Sequence, residues 1–103
     1  MDGPRLSPGT ERRIELLFSP DERELVREIL LHDCGSNLPS LKNLDEFKLE
    51  RFRFAVLKLS RGEIGRLRDA VRLANRDWRD LLVAAGFASD IHAHELWMPE
   101  GRQ

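Results

Sequence analysis

The residues of this chain most able to bind a metal are its single cysteine and its three histidines. His32 and Cys34 lie two residues apart, and so do His92 and His94. Together they supply four side chains of the types that bind zinc in a tetrahedral site. Residues two apart on a helix point about 200° away from one another, and we expect a helical or irregular segment around His92. A metal site formed by His32, Cys34, His92 and His94 is therefore only a weak alternative.

Nucleophilic catalysis has little support in the sequence. Cys34 lies at the predicted C-terminal end of a helix, where the helix dipole disfavours a thiolate. The chain has no phosphate-binding loop, no dinucleotide fingerprint and no metalloprotease pair, and none of its carboxylates lies in a special context. We therefore expect neither enzymatic activity nor a cofactor.

Positive charge is concentrated in the middle of the chain. Residues 48–79 contain ten Lys or Arg and four Asp or Glu, whereas residues 11–34 and 80–103 each have a net charge of −3. Within the middle segment, a tight connection at Ser60-Arg61-Gly62 resembles a helix-turn-helix in outline. The basic positions that an exposed helix face could present to phosphates are Arg68, Arg72, Arg76 and Arg79.

Two features weigh against nucleic-acid binding. The whole chain has a net charge of −1, which opposes non-specific attraction to a polyanion. The basic helix is also poor in the Asn, Gln, Ser and Thr side chains that read base edges. Arginine makes up 14 of the 17 cations, but this excess is also typical of GC-rich bacterial genomes. Nucleic-acid binding through the helix at 61–79 is therefore an alternative to the interpretation developed below.

Apolar spacing and capping residues predict the elements that position these side chains. Apolar residues recur at helical spacing, and no segment alternates with the period of a strand. Capping patterns precede three of the helices, at Ser19 to Glu22, Asn43 to Glu46 and Ser60 to Glu63, while Gly35 and Gly86 suit helix ends. The predicted helices span residues 20–33, 44–59, 61–75 and 77–85, with a turn or two at 11–18 and a last turn before Pro99.

These elements predict a small, single-domain, all-α protein. We expect a bundle of four main helices plus a short C-terminal helical turn. The predicted domain spans residues 11–99, with flexible termini at 1–10 and 100–103. The chain contains no segment apolar enough to span a membrane and no apolar signal core near Met1. A single cysteine suits a reducing compartment, so we expect a cytoplasmic protein with no membrane partner.

The helix at 44–59 is apolar on two opposite sides. One stripe contains Leu49, Phe52, Val56 and Leu59, and the opposite side contains Phe47, Phe54 and Leu57. Such a helix is either the centre of the domain or contributes one side to an interface. A chain of about 100 residues buries only about two-thirds of its extended surface. Apolar side chains that the chain itself does not cover are then either exposed or buried against a partner. The leading hypothesis is a non-catalytic module that binds another protein or forms a homodimer. Its candidate partner-binding residues are Phe47, Phe54, Leu57 and Leu73.

Overall fold

The computed structural model describes residues 6–34 and 46–99, and within them the chain forms six α-helices and no strand. The helices are α1 (Pro8–Leu17), α2 (Pro20–Asp33), α3 (Glu46–Ser60), α4 (Ile64–Arg76), α5 (Trp78–Ala85) and α6 (Ala93–Leu96). The predicted all-helical class is confirmed, and the helices form one compact globule with a radius of gyration of 12.5 Å. The finer arrangement as a four-helix bundle stays a prediction. No helix in the described residues is long and apolar enough to cross a membrane.

The first helix begins earlier than the sequence indicates. Ser7 caps α1, because its hydroxyl accepts a hydrogen bond of 3.1 Å from the Thr10 amide, and Pro8 occupies the first helical position. The Thr10 side chain is buried. Helix α1 therefore begins at Pro8, inside the segment 1–10 for which a flexible terminus is predicted, since a proline at this position starts a helix as readily as it interrupts one.

The connection between α3 and α4 also differs from the prediction. The Ser60 hydroxyl donates to the Leu57 carbonyl at 2.6 Å and accepts from the Gly62 amide at 3.2 Å, so Ser60 ends α3 and does not cap α4. Arg61 and Gly62 follow with positive φ angles of 50° and 77°, and α4 begins at Ile64, three residues later than predicted. A Cβ on Gly62 would lie 2.6 Å from the Leu17 carbonyl oxygen, so this turn requires glycine.

The other predicted helix ends have mixed outcomes. Ser19 precedes α2 and Pro20 is its first residue as predicted, but the Ser19 hydroxyl donates to the Glu22 carboxylate and makes no capping bond to the backbone. Gly86 ends α5 with a φ of 78°, and the Phe87 amide donates to the Leu82 carbonyl at 2.9 Å, which confirms the predicted stop. The predicted signals at Gly35 and Asn43 lie outside the described residues.

Helix α3 lies at the centre of the fold and contacts α1, α4, α5 and α6. Every residue from Phe52 to Leu57 is buried, including Arg53, whose Nε donates to the Cys34 carbonyl at 3.0 Å. Two-sided burial explains why the apolar residues of this helix do not form a single stripe. The two opposed stripes found in the sequence are therefore covered, over this stretch, by the other helices of the same chain.

A buried arginine fixes the C-terminal segment to the first helix. The Arg13 guanidinium donates from Nη2 to the Trp97 carbonyl at 2.6 Å and from Nη1 to the Gly9 carbonyl at 2.9 Å. Its Cζ lies 3.8 Å from the centroid of the Phe54 ring, which adds a cation–π contact. Burial lowers the pKa of Arg13, and the nearby Glu50 carboxylate opposes this change. The helices are thus connected by hydrogen-bonded charged groups as well as by apolar packing.

Candidate anion-binding face

The four predicted partner-binding residues do not form an exposed apolar face. Phe54 and Leu57 are 1% and 0% exposed, so the prediction that they bind a partner is wrong for these two side chains. Phe47 is half-buried, and its ring packs edge-to-face against His92 and His94 at centroid distances of 5.3 and 5.1 Å. The physical reason is that other parts of the same chain cover this side of α3: the Phe54 ring lies against Arg13 of α1, His94 of α6 and Trp97.

Leu73, the fourth of these residues, lies apart from the other three on α4. It is half-buried and lines a shallow cavity of about 230 Å³. Leu59 of α3 and Ala70 contribute the apolar part of that cavity, and Arg66 and Asp69 line it as well. Leu73 and Phe47 are therefore the two of these four side chains that are not fully buried.

Three of the four predicted basic residues do form one exposed feature, which we call the arginine row: Arg68, Arg72 and Arg76. All three side chains are exposed and line one groove between α2 and α4, with a volume of about 500 Å³. They are four residues apart, so their Cα atoms rise about 6 Å per step along the helix axis. The groove is completed by Val71 and Asn75 from α4 and by Ile29 and Asp33 from α2.

The sequence of α4 places the arginine row outside by placing apolar side chains inside. The buried face of the helix consists of Leu67, Ala70, Val71 and Ala74. At 100° per residue, Arg68 falls on the flank next to Val71, and Arg66 falls on the opposite flank. Arg72 and Arg76 lie progressively farther from Val71, toward the side opposite the buried face. Packing of the buried face against α3 therefore orients the arginine row toward α2 and solvent.

The cations of the arginine row differ in how they are paired. Arg72 Nη1 donates to the Asp69 carboxylate at 2.6 Å, but both side chains are more than 70% exposed. Such an exposed pair contributes little to stability. Arg68 and Arg76 form no ion pair or hydrogen bond with any other residue that the structure describes. The row thus offers two uncommitted guanidinium groups and a third that is held only by an exposed neighbour.

Asn75 joins the two walls of the groove. Its side-chain amide donates to the Asp33 carbonyl of α2 at 3.0 Å and to the Val71 carbonyl at 2.9 Å. Sequence reasoning missed both Asn75 and Asp33 as groove residues. The helical spacing does place Asn75 on the flank of Arg68 and Arg72, but only the packing of α2 against α4 brings Asp33 to the same groove.

Arg79, the fourth predicted basic residue, does not line this groove. It lies on α5, beyond the break at Asp77 that separates α4 from α5. Its guanidinium Cζ is 5.5 Å from the centroid of the Trp78 ring. Arg79 therefore does not extend the arginine row along the same helix, because α4 ends at Arg76, and binding through Arg79 stays a prediction.

The histidines and the cysteine do not assemble into a metal site in the described part of the chain. No group of three His, Cys, Asp or Glu side chains converges there. His94 is fully buried next to the rings of Phe47, Phe54 and Phe87, whereas His92 is exposed and its Nδ1 lies 3.2 Å from the Glu95 carboxylate. The weak metal alternative at His32, Cys34, His92 and His94 therefore gains no support from the geometry.

Burial also governs the protonation of these groups. It lowers the pKa of His94, and Glu95, Glu50 and the Ile91 carbonyl oppose the change. Neither ring nitrogen of His94 makes a hydrogen bond of good geometry with the described residues. Burial raises the pKa of the Cys34 thiol to about 12, against the influence of Arg53 and with that of Asp33. Cys34 is thus protonated at neutral pH, as its predicted position indicated, although burial is the main cause.

Comparisons with protein families, with curated protein sequences and with solved structures give no match to this chain. The arginine row is the exposed feature with the most definite chemistry in the described residues. Its charge, exposure and groove are therefore the basis of the functional assignment.

Proposed function

We propose that this chain is a non-catalytic binding protein that contacts the phosphates of a nucleic acid through the arginine row. The observation that carries the proposal is the placement of Arg68, Arg72 and Arg76 along one exposed groove wall. Arginine presents a planar set of donors that matches phosphate oxygens in a bidentate manner. The burial of Phe54 and Leu57 removes the main support for the alternative of an apolar interface on α3.

The local charge favours a polyanion in spite of the net charge of the whole chain. Helix α4 contains four arginines and one aspartate. Side chains more than a Debye length away, about 8 Å at physiological ionic strength, are largely screened from a ligand bound at this helix. Acidic side chains beyond this distance therefore weaken binding at α4 less than the net charge indicates, whereas Asp33 of α2 lines the groove and acts within it.

Fluorescence anisotropy of a labelled oligonucleotide at low salt tests this proposal. The test variant combines Arg68→Gln and Arg76→Gln, since neither side chain pairs with a described residue. We expect its affinity to be about a hundredfold weaker or more, because two charge-assisted contacts are lost and each is worth roughly 1.5–3 kcal/mol.

The matched control combines Arg66→Gln and Arg12→Gln, which removes the same charge elsewhere. Arg66 is exposed on the opposite flank of the same helix, and Arg12 is exposed on α1. Equal weakening by both double variants, or the absence of any binding at low salt, would contradict the proposal. Equally tight binding of poly-L-glutamate would identify the row as a site for acidic peptides instead.

A second candidate function is self-association through the C-terminal segment. Three large apolar side chains lie more than half exposed within eight residues: Ile91 at 55%, Leu96 at 88% and Met98 at 52%. Exposed apolar side chains that cluster on a surface favour protein association. Sedimentation equilibrium tests this candidate, which requires a dimer that a Leu96→Asp substitution dissociates; a monomer across the micromolar range excludes it.

A further inference from the structure

The groove residues bear on what part of a nucleic acid the arginine row contacts. Base edges are read mainly by Asn, Gln, Ser, Thr and Arg side chains that are free to make paired hydrogen bonds. Helix α4 contains one residue of the amide or hydroxyl type, Asn75, and helix α2 contains none. The Asn75 amide already donates to the carbonyls of Asp33 and Val71. Among the described groove residues, the arginines are therefore the only side chains of these types left that could read a base, and an arginine bound to a phosphate is not free to do so.

The α2 wall limits how much of a polyanion the groove can hold. Helix α2 has five acidic residues and two arginines, and its exposed acidic side chains include Glu28 and Asp33. Asp33 lines the groove opposite the arginine row. A strand of phosphates is therefore attracted along α4 and repelled along α2, so a bound strand is confined to the α4 side.

We infer that the arginine row contacts the sugar-phosphate backbone of a nucleic acid, through about three phosphates and without selecting a base sequence. This inference rests on the proposed function and adds to it the number of phosphate contacts and the absence of sequence selection. Contacts to phosphate position a protein on a nucleic acid but carry no sequence information directly.

The dependence of affinity on salt measures the number of phosphates. Each neutralised phosphate contributes about −0.7 to the slope of log K against log [salt] on a single strand, and about −0.9 on duplex DNA. Three contacts therefore predict slopes of about −2 and about −3. Loss of one contact in an Arg76→Gln variant makes the single-strand slope shallower by about 0.7, whereas the control Arg66→Gln leaves it unchanged.

Anisotropy titrations with two labelled single strands test sequence selection. The strands are an all-thymine 20-mer and an alternating guanine-thymine 20-mer, because guanine is the base that arginine reads most often. We expect dissociation constants within about threefold of one another at each salt concentration. A preference of tenfold or more for the guanine strand overturns the inference and identifies Arg68 or Arg76 as a base-reading residue.

The slope of log K against log [salt] provides a second test of the inference. A slope steeper than about −4 on the single strand shows that cations outside the arginine row take part, which also overturns the inference. Both of these results leave the proposed function intact, because binding is still present. Failure to bind either strand at low salt contradicts the proposed function itself, so the two failures are distinguishable.

Discussion

Truncation of Leu57 decides whether the second apolar side of α3 belongs to the core of the chain or to an interface. The Leu57 side chain is 0% exposed and belongs to the main hydrophobic core. Leu57→Ala removes buried carbon atoms and leaves a cavity, a combination that costs about 2–5 kcal/mol at core sites. The free energy of unfolding of a small domain is only about 5–15 kcal/mol, so this loss is a large fraction of it.

Urea unfolding followed by circular dichroism measures the effect. For a domain of this size the denaturant slope is about 1–3 kcal/mol per molar urea, so we expect the midpoint to fall by about 1 M or more. Leu96→Ala is the matched control. Leu96 is 88% exposed, and its truncation is expected to change the free energy of unfolding by less than about 0.5 kcal/mol.

Two results would refute the placement of Leu57 in the core. The first is a loss of less than about 1 kcal/mol in Leu57→Ala. The second is a wild-type unfolding midpoint that rises with protein concentration and loses that dependence in Leu57→Ala, since this links Leu57 to a subunit interface. If Leu57→Ala does not fold, Leu57→Val supplies the same comparison with a smaller loss, about 1 kcal/mol.

Three further predictions concern titration, backbone geometry and thiol reactivity. Burial lowers the pKa of His94 below the 6.5 of an unfolded chain, so the unfolded state binds the proton first as pH decreases. The free energy of unfolding measured in urea should therefore fall as pH decreases below about 6.5, and it should fall less steeply in His94→Leu. In thermal melts, Gly62→Ala should be the most destabilised of three glycine variants and should lose more than about 2 kcal/mol of unfolding free energy relative to the wild type. Gly86→Ala should lose about 1 kcal/mol for its φ of 78° alone, and Gly65→Ala, which has open space, should gain about 0.5–1 kcal/mol. Because burial raises the pKa of Cys34 to about 12, its reaction with an aromatic disulfide reagent at pH 8 should be slow when folded and fast in urea. A similar pH dependence in His94→Leu, equal losses at Gly62 and Gly86, or rapid labelling of the folded thiol would each contradict the structure.

The residue at which a helix begins could be predicted from the sequence where the capping residues and the packing of the fold favour the same start. Helix α2 begins at Pro20 as predicted, because a proline at the first position is compatible with both the local rule and the fold. The start of α4 was mistaken because Ser60 has two possible hydrogen-bonding roles. Its hydroxyl bonds back to the Leu57 carbonyl, and only the close approach of the Leu17 carbonyl to Gly62 explains the turn that follows.

The candidate site could be predicted only in part for a similar reason. Helical spacing alone places Arg68, Arg72 and Arg76 outside the buried face of α4, and the structure has all three exposed along one groove. The same spacing shows that Phe54 and Leu57 require burial, but it carries no information on whether the same chain or a partner covers them. The contribution of Asp33 to the groove depends on α2 packing against α4, which is a tertiary contact between residues distant in sequence.

Nuclear magnetic resonance of the arginine side chains tests the role of the arginine row most directly. The Nε–Hε signals of a ¹⁵N-labelled sample are followed while the all-thymine 20-mer is added at low salt. We expect the signals of Arg68, Arg72 and Arg76 to shift progressively, while that of Arg66 on the opposite flank of α4 stays in place. Shifts confined to other arginines, or no shift at saturating oligonucleotide, would contradict the assignment of nucleic-acid binding to this row.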